Sequence, residues 1–196
     1  MTTETGLPGA GYPANAESLE AFLEEKIRAE GVPGLSVAVI QGRHTAWKRG
    51  FGLADVATST PATPQTSYLW FSMTKIATAT AVVRLAEEGK LDLDSPADEY
   101  YRGFKVVSQP APVTLRHLLS HSSGLANPMP IRWVYPASGP VPDRRAFVEH
   151  LGGGAGFWNV MRIYPEESLG VVMMGNTTSY DHETILEAIL RTDWAP

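Results

Sequence analysis

The sequence predicts an α+β fold built on one antiparallel sheet. Two pairs of short β-rich runs stand near the two ends of the chain, and a turn-forming stretch joins the members of each pair. Helical patterns precede the first pair, fill the middle and follow the second pair. A chain of 196 residues with 43% hydrophobic content can bury one core. We therefore expect a single domain over residues 1–196, with terminal helices on one face of the sheet and middle helices on the other.

The chain begins with a predicted helix and a predicted hairpin. Asn15 can cap a helix that ends before Gly31 and whose apolar residues keep a helical period: Leu19, Phe22, Leu23 and Ile27. Residues 35–40 and 45–51 have strand composition and are joined by a short turn that contains a glycine, which favours a hairpin. Residues 54–67 are small, polar and proline-bearing, as in a surface loop.

Helical patterns fill the middle of the chain. Residues 72–88 place apolar side chains on one wide stripe, so we expect a largely buried helix that ends at Gly89. Thr114 can cap a second helix over residues 115–120. Residues 127–143 carry many prolines and little periodicity, which predicts an extended excursion over the surface.

The C-terminal part repeats the opening order in reverse. Residues 156–164 and 169–176 form the second pair of strand-like runs. Asp181 can then cap a closing helix with an apolar face made by Ile185, Leu186, Ile189 and Leu190. Hairpins at both ends with helices outside and between them complete the α+β assignment.

The composition excludes several classes of partner and site. The net charge of -5 is spread without runs, so we expect a small-molecule partner and neither nucleic acid nor membrane. The absence of cysteine excludes disulfides and thiolate ligands, and no histidine or carboxylate spacing indicates a metal. No cofactor is expected. The N-terminal residues lack the basic and apolar regions of a secretory signal, so the expected location is cytoplasmic.

Ser72-Met73-Thr74-Lys75 is a motif with its own chemistry. On a helix, the three-residue spacing stacks the Ser72 hydroxyl and the Lys75 amine one turn apart on the same face. A lysine in a partly desolvated site loses its proton more easily and can then accept the proton of the serine. A serine at a helix start also has the helix dipole and nearby amides to stabilise negative charge. The alternative is an ordinary helix N-terminus with a surface lysine.

Two longer stretches carry a family resemblance. YLWFSMTKIATATAVVRLAEEGKLDLDSPADEY, followed by VTLRHLLSHSSGL, resembles the serine β-lactamase/penicillin-binding-protein superfamily, in the branch of class C β-lactamases, D-alanyl-D-alanine carboxypeptidases and β-lactamase-like esterases. His150-Leu151-Gly152, followed by GGAGFWNVMRIYPEESLGVVMMGN, resembles the H-x-G motif of that family, which lies on the strand beside the active site. The resemblance covers residues 17–145, the N-terminal part with S-x-x-K, and residues 150–190, the C-terminal strands and closing helix.

The resemblance implies a role for each matching residue. Ser72 would be the nucleophile and Lys75 its base, while His150 would line the cleft as a third catalytic residue. The backbone amides of Ser72 and Gly153 would form the oxyanion hole, which stabilises a tetrahedral intermediate. Substrate binding is expected at Gly152 and Trp158. The alternative for Gly152-Gly153-Gly154 is a flexible turn.

The chain departs from the family pattern between its two parts. The family carries a Y-x-N motif there, whose tyrosine assists proton transfer, and Tyr135-Pro136-Ala137 does not match it. Residues 126–149 are also far too few for the helical subdomain of the family, so we expect a β-lactamase/transpeptidase-like fold with a reduced helical subdomain. Either the subdomain was deleted, or this is a compact variant that forms its active site in a different way. The loss would expose an apolar patch, which allows a homo-oligomer.

Three functions remain open at this stage. The first is a serine hydrolase that forms an acyl-enzyme on Ser72 and cleaves short-chain esters or β-lactams. The second is a catalytically silent β-lactamase-fold protein that binds a partner in the remnant cleft, which the missing Y-x-N favours. The third is an acyltransferase that uses the same serine, and the sequence does not separate it from the first.

Overall fold

The computed structural model describes residues 12–106, 111–125 and 148–194. The chain divides into two compact units, Met1–Met73 with Asp143–Pro196, and Thr74–Pro142. The expected single domain stays a prediction. In the described ranges, no helix is both long enough and apolar enough to cross a membrane.

The first unit is organised by a six-stranded antiparallel sheet, which confirms the predicted fold class. The strand order is β3-β2-β1-β6-β5-β4, so β4 is the last strand in the sheet among the residues that the structure describes. The strands are β1 (Gly34–Gln41), β2 (His44–Asp55), β3 (Thr60–Pro61), β4 (Val148–Gly154), β5 (Phe157–Tyr164) and β6 (Leu169–Gly175). Both predicted hairpins are present, and the short β3 interrupts the predicted loop over residues 54–67.

The two terminal helices, α1 (Ala16–Ala29) and α5 (His182–Arg191), share one buried cluster with β1, β5 and β6. α1 begins at the predicted cap, because the Asn15 side chain accepts a hydrogen bond from the Ser18 backbone N–H at 2.9 Å. The cluster is fully buried at its centre: Leu19, Leu23, Val39, Val160, Val171, Met173, Ile185 and Ile189. The expected packing of both terminal helices on one face of the sheet is therefore confirmed.

The second unit contains α2 (Thr74–Glu87), α3 (Ala97–Tyr100) and α4 (Leu115–Leu119). The predicted cap of α4 is present, since the Thr114 side chain accepts from the His117 backbone N–H. The expected burial of α2 is wrong, because none of its residues is buried and Val83 is 41% exposed. An apolar stripe identifies the face of a helix that can be covered, but burial requires a second element on that face. Residues 127–143 lie outside the described ranges.

Candidate active site

Ser72 lies in a one-turn 3-10 helix, Phe71–Met73, that leads directly into α2. The turn is closed by the Met73 backbone N–H, which donates to the Trp70 carbonyl oxygen at 3.1 Å, and the Met73 side chain is buried. Phe71 has a φ of 48°, in the left-handed region that aromatic residues rarely adopt. Such a conformation persists only where the surroundings hold it, so Ser72 follows a constrained residue.

The two faces of the sheet carry different partners. Val160 on β5 is packed in the core with α1 and α5. Because side chains alternate along a strand, the neighbouring Asn159 points to the opposite face. We call the side of Val160 the helix-covered face and the side of Asn159 the serine face. Gly152 of β4 is paired with Asn159 and therefore lies on the serine face.

β4 is glycine-rich where it meets the serine turn. A Cβ atom on Gly152 would lie 2.5 Å from the Trp70 carbonyl oxygen and 3.1 Å from the Met73 side chain. A Cβ on Gly154 would lie 2.8 Å from the Phe71 ring. Gly152 to Gly154 belong to a paired strand, so the alternative of a flexible turn is wrong. These glycines allow the backbone before and after Ser72 to lie directly against β4.

Residues 62–73, which we call the serine-bearing segment, are also tied to the middle of the sheet. On β1, the Ser36 hydroxyl donates to the Thr63 carbonyl oxygen at 2.7 Å and lies 2.9 Å from the Tyr68 hydroxyl. Burial raises the pKa of Tyr68, with the Ser36 hydrogen bond acting against it. On β5, the Asn159 side-chain amide donates to the Leu69 carbonyl oxygen at 2.8 Å.

His150 lies on β4 two residues before Gly152, so its side chain belongs to the serine face. Its Nδ1 is 2.9 Å from the Leu151 carbonyl oxygen. A carbonyl oxygen only accepts hydrogen bonds, so Nδ1 carries the hydrogen in this contact. In that tautomer the lone pair is on Nε2, which can accept a hydrogen bond.

Gly153 and Trp158 are paired across β4 and β5. A Cβ on Gly153 would lie 2.8 Å from the Trp158 ring, which packs against the core beside His182. Trp158 therefore belongs to the helix-covered face and not to the face of Ser36 and Asn159. Its role in substrate binding stays a prediction. The ring of Phe71, in the serine turn, and the ring of Phe157, on β5, have centroids 6.2 Å apart.

Lys75 lies in the first turn of α2, three residues after Ser72, as the motif predicts. Its side chain is exposed, whereas Ser72 is half-buried. The role of Lys75 as the base stays a prediction. Tyr164, the tyrosine that follows the H-x-G strand, lies on the helix-covered face with Arg162.

On the helix-covered face, β4 is held by an ion-pair cluster that was not predicted from the sequence. Arg162 is 3% exposed, and its guanidinium donates to Glu149 at 2.7 Å and to both carboxylate oxygens of Glu183 at 2.6 and 2.9 Å. Burial acts to lower the pKa of Arg162, but these hydrogen bonds outweigh it and raise the pKa. Glu149 and Glu183 also lie near His182, an arrangement that could hold a metal ion. Because Arg162 already binds both carboxylates, we interpret the cluster as ion pairs that join β5 to β4 and to α5.

The contacts that hold the serine-bearing segment were not predicted from the sequence. Asn159 was the available signal, because it is a neutral polar residue inside a strand that is otherwise apolar around it. Ser36 gives a similar signal within β1. A polar side chain at a buried strand position needs a hydrogen-bond partner, but the sequence does not say which backbone group supplies it.

Comparison with protein families matches residues 19–133, more than half of the chain, to the Beta-lactamase family. The mouse protein "Serine beta-lactamase-like protein LACTB, mitochondrial" is 35% identical over 118 residues, which are 59% of this chain and 21% of that protein. Protein flp of Staphylococcus aureus is 28% identical over 111 residues, 56% of this chain and 22% of that protein. The chain thus spans about a fifth of the length of these curated relatives.

Solved structures share the fold at low sequence identity. The octameric penicillin-binding protein homologue from Pyrococcus abyssi has a TM-score of 0.67 at 17% identity, covering 91% of this chain and 78% of that chain. The class C beta lactamase from Rhodobacter sphaeroides has a TM-score of 0.58 at 16% identity, covering 88% of this chain and 97% of that chain. Likeness at these identities establishes the architecture alone.

Proposed function

From its membership of the Beta-lactamase family, to which this chain belongs, we propose that the protein is a serine hydrolase that forms an acyl-enzyme on Ser72. One observation carries the proposal more than the others. The constrained turn that bears Ser72 lies against the glycine-rich strand β4. This closeness supports the proposal, because acyl transfer needs backbone donors beside the nucleophile.

Acylation begins with attack of the Ser72 Oγ on the carbonyl carbon of an ester. The hydroxyl proton passes to Lys75, and the carbonyl oxygen takes the negative charge of the tetrahedral intermediate. The backbone N–H groups of Ser72 and Gly153 are the proposed donors to that oxygen. Collapse of the intermediate breaks the ester C–O bond, and the alcohol leaves with a proton returned from Lys75. His150 is proposed to line the cleft in which the ester binds.

Deacylation repeats these steps with water as the nucleophile. Water attacks the acyl carbon on Ser72, loses one proton to the base, and the serine oxygen regains a proton as the acid departs. The net reaction consumes one ester and one water and produces one acid and one alcohol. A cofactor has no place in this scheme.

Activated esters are the proposed substrate class, ahead of lactams and amides. No Y-x-N motif occurs between residues 125 and 150, so the second group that assists proton transfer in the family has no counterpart in that stretch. A good leaving group such as p-nitrophenolate departs without a proton, whereas an amine does not. Slow protonation of the leaving group therefore penalises lactams most.

The test is hydrolysis of p-nitrophenyl acetate and butyrate, with nitrocefin in parallel. We expect Ser72→Ala to lower ester turnover by about a thousandfold or more, and Lys75→Ala by about a hundredfold or more. Matched controls are Ser179→Ala and Lys90→Ala, which remove an exposed serine and an exposed lysine elsewhere. Both controls are expected to retain wild-type rates.

Equal rates for wild type and Ser72→Ala would reject the hydrolase. The missing Y-x-N motif favours the silent binding protein as the second candidate, and that outcome would select it. The acyltransferase is separated by products, because an added alcohol would then appear as a new ester in place of the free acid.

A further inference from the structure

The serine-bearing segment depends on a small number of side chains from the serine face. Its carbonyl groups at Thr63 and Leu69 accept from Ser36 and Asn159, at 2.7 and 2.8 Å. The contact with Asn159 is the one nearer to the nucleophile, because Leu69 precedes Ser72 by three residues. Phe71 lies between Leu69 and Ser72, and its positive φ is a strained backbone conformation that costs free energy.

Asn159 is unusual for its environment. It is 0% exposed, next to the fully buried Val160, and its side-chain oxygen has no hydrogen-bond partner among the described residues. Burying an amide with one group unsatisfied costs free energy that an apolar side chain would not. The Leu69 contact is the one described hydrogen bond of this side chain, so its effect is exerted on the serine-bearing segment.

We propose that Asn159 is a positioning residue for Ser72. By binding the Leu69 carbonyl, it fixes the peptide at which the chain enters the Phe71–Met73 turn and so sets the place of the nucleophile along β4. Gly152 provides a second contact that limits the position of the turn, because the Trp70 carbonyl lies so close to Gly152 that no side chain would fit there. The inference rests on the proposed function, and Asn159 itself touches no reacting atom.

The test compares Asn159→Leu with Val160→Ala, its neighbour on the opposite face of β5. Leucine has the same number and branching of side-chain heavy atoms as asparagine, in a somewhat larger volume, and removes the donor. Val160→Ala weakens the core without touching the segment. The readouts are the rate of Ser72 labelling by a fluorophosphonate, kcat and KM for p-nitrophenyl butyrate, and the melting temperature. Asn159→Ser, which is too short to reach Leu69, is the second variant if Asn159→Leu does not fold.

Asn159→Leu is expected to lower the labelling rate and kcat by about ten- to a hundredfold, with KM changed by less than about threefold. Val160→Ala is expected to melt earlier and still label at the wild-type rate. If both Asn159 variants label at the wild-type rate, the positioning role is overturned and the proposed function still stands. The same conclusion follows if Val160→Ala loses as much of the labelling rate as Asn159→Leu and has the same melting temperature. An inert wild type would instead reject the proposed function and the inference with it.

Discussion

At the scale of single residues, the site depends on the absence of side chains as much as on their presence. Gly152 and Gly154 leave room for the Trp70 carbonyl and the Phe71 ring. The resemblance of the sequence to an H-x-G motif predicts a glycine in this place. It does not predict the reason, which is the close approach of a second backbone.

Gly152→Ala tests this requirement. The new methyl group would lie 2.5 Å from a backbone oxygen, so either β4 or the serine turn must shift. We expect a loss of about 1–3 kcal/mol in stability and at least a tenfold loss in ester hydrolysis. Gly170→Ala is the matched control on the serine face of β6, because its methyl group would meet Ile40 at an ordinary 3.7 Å. Full activity of Gly152→Ala would contradict the close approach.

At the scale of elements, the caps and hairpins follow from local sequence, whereas the anchoring of β4 does not. Asn15, Thr114 and Asp181 cap helices as predicted, because a cap needs only neighbours in the chain. The Arg162 cluster joins residues from β4, β5 and α5, and no local pattern identifies it. This cluster fixes the helix-covered face of the strand whose other face carries His150 and Gly152.

Arg162→Met tests the anchoring of β4. Removing a buried guanidinium leaves two carboxylates without their cation, although Glu183 can turn to water because it is 63% exposed. We therefore expect the free energy of unfolding, measured by urea denaturation, to fall by about 2–3 kcal/mol. This is less than the cost for a fully buried pair. Arg191→Met, which breaks the exposed pair with Glu187 and the cation–π contact with the Tyr12 ring, should cost only about 0.5–1 kcal/mol. Equal costs for the two variants would show that the cluster does not anchor the strand.

The cap of α5 gives a prediction for pH. Partial burial acts to raise the pKa of Asp181, but hydrogen bonds from Lys26 and Thr184 outweigh it and hold the pKa at about 2, below its ordinary 3.8. A carboxyl with a depressed folded-state pKa stabilises the fold above its unfolded pKa, and this stabilisation is lost as the pH falls through the folded pKa. Between pH 4 and 2, the melting temperature of wild type should fall more steeply than that of Asp181→Asn. Parallel curves would contradict the assignment.

At the scale of the whole molecule, the family and the α+β class could be predicted because they depend on long patterns in the chain. The S-x-x-K stretch, the H-x-G strand and the two hairpins suffice for both. Burial of α2 and the face occupied by Trp158 could not be predicted, because each depends on which element covers another. The contact between Asn159 and Leu69 joins residues 90 positions apart, and only the folded sheet brings them together.

The most direct test of the account is mass spectrometry of the protein after brief incubation with p-nitrophenyl acetate. We expect one added acetyl group, located by peptide mapping on Ser72, present in Ser179→Ala and absent from Ser72→Ala. An acetyl group that persists in Ser72→Ala, or a wild-type protein that releases p-nitrophenol no faster than buffer and carries no adduct, would contradict the assignment of Ser72 as the nucleophile.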